Sequence, residues 1–150
     1  MIQRKQSLFL LIAALMGAGV FIFDLYRYHS GIHTLVNGVD TVVDTPSHLG
    51  VTGNYPLLLI AIVITILPLI TIFMYKERKR QIAMTAVSLI GTLSFIAMAL
   101  NYISRITPAP LNGSYYIGSV LPCVSVVFLI MALLGIRKDD KLVKSMDRLR

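Results

Sequence analysis

Four long runs of the sequence contain no Asp, Glu, Lys or Arg, and they constrain the fold more than any other feature. The runs cover residues 8–23, 56–75, 81–102 and 115–136. About 20 helical residues, rising 1.5 Å each, cross a hydrocarbon core of about 30 Å. A helix at a water-exposed surface would show a polar face, which these runs lack. We therefore predict an all-α integral membrane protein, a single domain over 1–150, with four transmembrane helices at about 7–26, 55–75, 82–103 and 115–136.

The first run is the shortest of the four. It reaches spanning length only if its helix continues through Asp24, Leu25 and Tyr26. Its basic start and small residues also suit a signal peptide, but the stretch VFIF continues past any plausible cleavage site. We therefore expect an uncleaved transmembrane helix.

Lys and Arg are divided unequally between the two sides that four spans would create. Twelve lie in the N-terminal segment, the KERKR loop and the C-terminal tail, whereas Arg27 and Arg105 lie on the opposite side. Short loops rich in Lys and Arg remain in the cytoplasm. We therefore predict that both termini are cytoplasmic and that an outer loop covers 27–54.

The cytoplasmic tail at 137–150 is dense in charge but also has an apolar stripe, formed by Leu142, Val143, Met146 and Leu149. Since Gly135 offers a place for the fourth span to stop or bend, we predict a separate short amphipathic helix on the inner surface or against a partner. Basic residues near a membrane attract anionic lipids. No nucleic-acid partner is expected, because aromatic residues are not interleaved with the basic ones. The candidate lipid- or partner-docking residues are Arg4, Arg78, Lys79, Arg80, Arg137, Lys138, Lys141, Leu142, Lys144, Met146, Arg148, Leu149 and Arg150.

The outer loop contains Asn37-Gly38 between two β-branched stretches, the strongest short-range signal of a β-hairpin. We predict a small two-stranded hairpin, which must pack on something because such a ribbon is marginal alone. His29, His33 and His48 also lie in this loop. They are candidate zinc or copper ligands, but their spacing matches no familiar ligand pattern, so neither a metal nor another cofactor is expected.

Small and mildly polar residues within the predicted spans suit close helix packing. The predicted packing residues are Ala14, Ala18, Thr85, Ser88, Gly91 and Thr92. The alternative is a groove for a lipid or a small apolar solute beside Thr85, Ser88, Thr92 and Asn101. No charged residue lies at mid-membrane, and no nucleophile–base pair or phosphate loop is recognisable. Ion-coupled transport and enzymatic activity are therefore not expected.

Both ends of the chain carry recognisable segments, MIQRKQSLFLLIAAL and IRKDDKLVKSMDRLR. Together they resemble an uncharacterised family of small four-span inner-membrane proteins of Bacteroidetes, described only as a domain of unknown function. The matching positions are Met1 to Arg4 with Gln6, and Arg137 to Ser145 with Asp147 to Arg150, whereas Lys5 departs from the pattern. The resemblance implies the class and compartment of the protein, but no activity, ligand or catalytic residue.

The sequence thus favours a non-enzymatic accessory or scaffolding subunit of a larger membrane protein complex. The alternative is a binding protein or carrier for a lipid or a small apolar solute. Metal binding by the outer loop is a minor alternative.

Overall fold

The computed structural model describes residues 3–36, 39–74, 77–106 and 113–147. Within these residues the protein is mostly helical, as predicted, with a small antiparallel sheet of strand order β2-β1-β3. The elements are α1 (Gln3–Gly19), β1 (Tyr26–Val36), β2 (Val39–Leu49), α2 (Tyr55–Phe73), α3 (Arg78–Ile106), β3 (Ser114–Tyr115) and α4 (Ile117–Asp147).

The four helices pack side by side, and each contacts two others. α1 lies between α2 and α4, and α3 contacts the same two helices from the opposite side. The end that brings together Gln6, Arg78 and Asp139 is called the basic end. The opposite end, where β1 and β2 leave the helices, is called the hairpin end. Apolar clusters fill the interior at both ends, around Leu10 and Leu129 and around Leu57 and Phe95.

Three of the described helices are long and apolar enough to cross a membrane. They are Tyr55–Phe73, Arg78–Arg105 and Ile117–Val143, with mean hydropathies of 2.8, 2.0 and 2.6. Their outer faces carry large apolar side chains, such as Leu59 at 65% exposure and Ile90 at 63%. Apolar surface of this kind suits contact with lipid rather than water. These helices are those of a membrane protein.

The prediction that the first helix continues to Tyr26 is wrong. α1 ends at Gly19, where the N–H groups of Ile22 and Phe23 both donate to the Gly19 carbonyl at 3.0 Å. Tyr26 instead opens β1. The apolar part of α1, Gln6–Gly19, is accordingly shorter than the other three helices.

A short irregular segment, residues 23–25, replaces the missing last turns of that helix, and we call it the strap. It crosses the start of α4, where the N–H of Gly118 donates to the Asp24 carbonyl and the N–H of Tyr116 donates to the Leu25 carbonyl, both at 3.1 Å. A Cβ atom at Gly118 would lie 2.4 Å from the Asp24 carbonyl oxygen. Only glycine admits the strap at this distance.

The predicted hairpin is confirmed, but it is longer than expected. Val36 pairs with Val39, and the register continues to Tyr26 opposite Leu49. Asn37 and Gly38 lie outside the described residues. Each strand has 11 residues, which corresponds to about 36 Å at 3.3 Å per residue. β3 adds a third strand at the base.

The prediction of a separate tail helix is also wrong. α4 continues without interruption from Ile117 to Asp147. Gly135 does not end the fourth helix, because it is a contact point for α1: a Cβ atom there would lie 3.1 Å from Cγ of Gln6. The glycine therefore permits close packing between the two helices.

Candidate functional site

The predicted docking residues lie at the basic end where the structure describes them. Arg78 is half-buried, and the others with described side chains are exposed: Lys79, Arg80, Arg137, Lys138, Lys141 and Leu142. Arg80 forms an ion pair with Glu77 at 2.8 Å. Arg4 lies in α1, Lys144 and Met146 lie in α4, and Arg148, Leu149 and Arg150 fall outside the described residues.

A buried polar cluster at the basic end joins three helices. Nε2 of Gln6 donates to Oδ2 of Asp139, and Nη1 of Arg78 donates to the backbone oxygen of Asp139 at 2.9 Å. Gln6 is 5% exposed and Asp139 is 9% exposed. Sequence reasoning did not select this pair as a site. The sequence nevertheless contained a clue to the pair, because Gln6 and Asp139 belong to the two terminal segments that carry the family resemblance.

The hydroxyl groups on α3 are buried and bonded within their own helix. Thr85, Ser88 and Thr92 are each 0% exposed. They donate to carbonyl groups four residues earlier at 2.8, 2.9 and 2.8 Å. Asn101, the fourth residue of the groove considered from the sequence, is exposed. These three hydroxyls therefore offer no unbonded polar group to a ligand.

The small residues differ in how closely the neighbouring helix approaches. Ala14 is buried, whereas Ala18 and Gly91 are half-buried. A Cβ atom at Gly91 would make an ordinary 3.5 Å contact with Ile64, but one at Gly17 would lie 2.9 Å from Oγ1 of Thr65. Gly17 is therefore where α1 and α2 approach most tightly among these positions.

The three histidines do not form one metal site. His48 pairs with Arg27, His29 with Pro46 and His33 with Val42. His29 and His48 are diagonal neighbours, whose Cα atoms lie about 7–8 Å apart. The Cα atom of His33 is about 13 Å further along β1. Among the described residues, no three His, Cys, Asp or Glu residues are arranged to hold a metal ion.

A polar cavity of about 640 Å³ lies at the base of the hairpin. Both Nε and Nη2 of Arg27 lie 3.0 Å from Oδ2 of Asp24, and the guanidinium carbon lies 4.0 Å from the ring centroid of Tyr116. We call this polar cavity the hairpin-base cavity. Its lining residues are Asp24, Arg27, Tyr28, His29, Pro46, Ser47, His48, Ser114 and Tyr116.

An apolar groove of about 390 Å³ lies between α3 and α4, near the hairpin end. We call it the α3–α4 groove. Cys123, the one cysteine of the chain, is exposed in it. Pro122 next to it lies inside α4, where a proline removes a backbone hydrogen bond and kinks the helix. The groove is lined by Leu25, Phe95, Ile96, Ala99, Leu100, Ile103, Tyr115, Ser119, Val120, Pro122 and Cys123.

The family model described as "Domain of unknown function (DUF4293)" matches residues 2–149. The chain belongs to the DUF4293 family. The resemblance to an uncharacterised family is thereby confirmed, and the match extends over all the helices and strands of the DUF4293 protein. No curated protein matches the chain. The function of this DUF4293 protein must therefore be argued from its own geometry.

Proposed function

We propose that this protein is a non-enzymatic subunit of a larger membrane protein complex, and that it docks on its partner through the hairpin. The proposal rests on one observation: two 11-residue strands leave the helices, and within the described residues their apolar packing on the helices is at the base. A two-stranded ribbon is marginally stable by itself. A ribbon of this length therefore gains stability from a surface that covers it.

The base is the part of the hairpin that the rest of the chain supports. Tyr26 and Leu49 are buried there together with Ile103 of α3. β3 pairs only with Tyr26 and Arg27. Beyond these residues, β1 and β2 contact each other extensively, but neither makes a comparable contact with a helix among the described residues.

The register also divides the hairpin into two different faces. Residues on one strand alternate between faces, and paired residues share a face. The face that includes Tyr26 and Leu49 continues outward through uncharged positions, which include Ile32, Val36 and Val43 together with Ser and Thr residues. The other face, which we call the charged face, carries Arg27, the three histidines, Asp40 and Asp44 beside Leu35 and Val42. An uncharged face rich in β-branched residues that extends beyond its support favours a protein partner.

The charge distribution supports an orientation for this assembly. We place the protein in the bacterial inner membrane with four crossings, the first made by α1 and residues 20–23. The basic end then faces the cytoplasm, where its exposed Lys and Arg side chains contact anionic lipids. The hairpin projects on the opposite side, where it meets its partner.

Shortening the hairpin tests the docking proposal. Deletion of residues 31–36 and 39–44 joins Ser30 and Thr45 through Asn37 and Gly38. Because Ser30 and Thr45 are already paired in the sheet, the base and the hairpin-base cavity remain intact. Purification in a mild detergent from native cells, followed by mass spectrometry, should recover one partner complex with the full chain and lose it with the shortened chain.

The charged face supplies a matched control for this deletion. The variant Asp40→Asn/Asp44→Asn changes the charged face, not the face proposed for docking, and keeps the hairpin length. It should retain the partner. A full chain that always purifies alone, or a shortened chain that keeps the same partner, would refute docking through the hairpin.

A second function is supported by the α3–α4 groove, which is apolar and open between two helices capable of spanning a membrane. An acyl chain matches such a surface, so the protein is also a candidate lipid-binding protein. This places the lipid beside Ala99 and Cys123, not beside the buried hydroxyls of Thr85 and Thr92.

Filling the groove tests lipid binding. The substitution Cys123→Phe adds a ring inside the groove, and Val127→Phe adds the same ring one helical turn away at a position that is 55% exposed and does not line the groove. Native mass spectrometry should show a retained lipid with the parent chain and with V127F, but not with C123F. Equal retention by all three proteins would exclude the groove as the binding site.

A further inference from the structure

We infer that the hairpin-base cavity binds a phosphate group, carried either by a phospholipid headgroup or by a free phosphate ion. The cavity of about 640 Å³ lies where the three strands meet the start of α4. Its donors Arg27, His29 and His48 lie on the charged face of the sheet, whereas Tyr28 and Ser47, which also line it, belong to the other face. Since the cavity is at the base and the proposed docking surface is the distal hairpin, the inference is independent of the proposed partner.

The sheet register arranges hydrogen-bond donors in a row across the cavity wall. Arg27 in β1 is opposite His48 in β2 and opposite Ser114 in β3. Directly opposite residues have Cβ atoms about 4.5–5.5 Å apart, and all three residues line the cavity. His29 follows on the same face of β1. A guanidinium, two imidazoles and a hydroxyl group can all donate to phosphate oxygens.

Arg27 is held in place before any ligand arrives. Its Nε and Nη2 atoms lie against Oδ2 of Asp24, and its guanidinium plane lies over the Tyr116 ring. The side chain is nevertheless 53% exposed, so the contacts with Asp24 and Tyr116 do not bury it. An arginine oriented by stacking and by one carboxylate suits two-point binding of phosphate.

The charges of the cavity are compatible with an anion. Asp24 is the one carboxylate among the residues that line it, and Arg27 neutralises that carboxylate. The other ionisable lining residues are His29, His48, Tyr28 and Tyr116. None of these four contributes a negative charge in its ordinary state at neutral pH. A bound phosphate would therefore meet donors rather than further carboxylates.

The position of the cavity explains why phosphate is the anion to expect. Tyr28 and Tyr116 line it, and the Tyr26 ring contacts the rings of Tyr28 and Tyr115 nearby, at the end of the helices. Tyrosines gather at the level of lipid headgroups, where the ring is in the apolar layer and the hydroxyl is hydrated. A cavity among them faces the phosphate layer of the lipid when the helices span a membrane.

Histidine NMR tests the inference on the full-length protein. The three histidines, ¹⁵N-labelled in a phosphate-free maltoside detergent, are titrated with sodium phosphate or with dihexanoylphosphatidylglycerol at constant ionic strength. The His29 and His48 signals should shift and saturate, whereas that of His33, which is four residues along β1 from His29, should not. Equal affinity for both probes would identify the phosphate group alone as the ligand. Higher affinity for the lipid would identify a phospholipid headgroup.

An arginine variant separates a specific site from weak attraction. Arg27→Gln should weaken binding of the effective probe by about tenfold or more, because a charge-assisted hydrogen-bonded contact is lost. The matched control is Arg105→Gln, since Arg105 is an exposed arginine in the last turn of α3 at the same end of the molecule. It should leave the affinity unchanged.

Three outcomes would overturn the inference: no saturable shift with either probe, an equal shift of all three histidines, or equal affinity of the parent chain and R27Q. If R27Q does not fold, Ser114→Ala replaces it. That variant removes one donor of the row without touching Arg27 or its contacts with Asp24 and Tyr116. Unchanged affinity in S114A would then overturn the inference.

Discussion

Individual glycines decide where the backbones of this protein come closest together. At Gly118 a Cβ atom would lie 2.4 and 2.5 Å from two carbonyl oxygens of the strap, whereas at Gly91 it would lie 3.5 Å from a flexible Ile64 methyl group. The first distance cannot be relieved without moving the strap, because backbone atoms surround the site. The second is an ordinary contact. The two glycines therefore predict opposite responses to the same substitution.

The substitution Gly118→Ala should destabilise the protein by about 1–3 kcal/mol, the usual range for overpacking. Gly91→Ala should be neutral or stabilising by about 0.5 kcal/mol, because alanine is the better helix former and has room there. Thermal unfolding in a mild detergent, monitored by circular dichroism, should show a lower midpoint for G118A only. A normal midpoint for G118A would contradict the close contact of the strap.

The Gln6–Asp139 contact is a second prediction at the residue scale. Gln6→Leu leaves a buried carboxylate without its donor and should cost about 1–3 kcal/mol. The double variant Gln6→Leu/Asp139→Leu should recover part of this loss, because replacing both partners with apolar side chains removes the unsatisfied group. Lys138→Gln, at an exposed position beside Asp139, is the control and should stay within about 0.5 kcal/mol. Additive losses in the double variant would mean that the two side chains do not interact.

The sequence identified these residues only in part. Gln6 and Asp139 could be recognised as members of two terminal segments, but nothing in either segment indicates that the segments meet. The Arg27–His48–Ser114 row was similarly hidden, since it depends on the register of the hairpin and on a third strand. Thr85, Ser88 and Thr92 lie at positions that local spacing can identify, because they recur on one face of a single helix.

At the scale of the elements, the base of the hairpin is held more firmly than its distal part. Its base is bonded on both sides, by β2 and β3 at Tyr26 and Arg27, and the N–H of Leu25 donates to the Leu49 carbonyl at 2.9 Å. Beyond the base, β1 and β2 pair with each other in the part of the chain that the structure describes. Local opening is easier where fewer buried contacts oppose it.

Hydrogen exchange of the isolated protein should reveal this gradient. The amides of Leu25 and Tyr26 should exchange about tenfold or more slowly than those of Gly31 to Thr34, because opening the base also exposes the Tyr26–Leu49–Ile103 cluster. Addition of the partner should slow the distal amides and leave the base unchanged. Uniform protection along the free hairpin would contradict support at the base alone.

The two errors in the element boundaries share one physical cause. Val20 to Phe23 are apolar, and Gly135 is a common helix terminator, so local reasoning extends α1 and interrupts α4. In the structure, contacts between residues distant in sequence determine both boundaries. The strap hydrogen-bonds to the start of α4, and Gln6 packs against Gly135. Local sequence was sufficient to predict α2, α3 and the hairpin. The length of the apolar runs determines the two helices, and the Asn37-Gly38 turn signal indicates the hairpin.

On the scale of the whole molecule, the separation of charge and hairpin predicts how the protein is oriented. A reporter fused after Arg150 should be active in the cytoplasm, and one inserted between Asn37 and Gly38 should be exported. Green fluorescent protein and alkaline phosphatase at each site provide reciprocal signals. If both sites proved cytoplasmic, the chain would cross the membrane an even number of times between them, so α2, α3 and α4 would not all span it.

The pairing of Tyr26 with Tyr115 also imposes an order on biosynthesis. The ribosome reaches Tyr115 about ninety residues after Tyr26, on the order of ten seconds later at ~5–20 residues per second. Throughout that interval, the growing chain has neither β3 nor the start of α4 to receive the strap. A nascent chain arrested before Ser114 would thus carry a hairpin whose base lacks its third strand and whose strap lacks its hydrogen bonds to the start of α4.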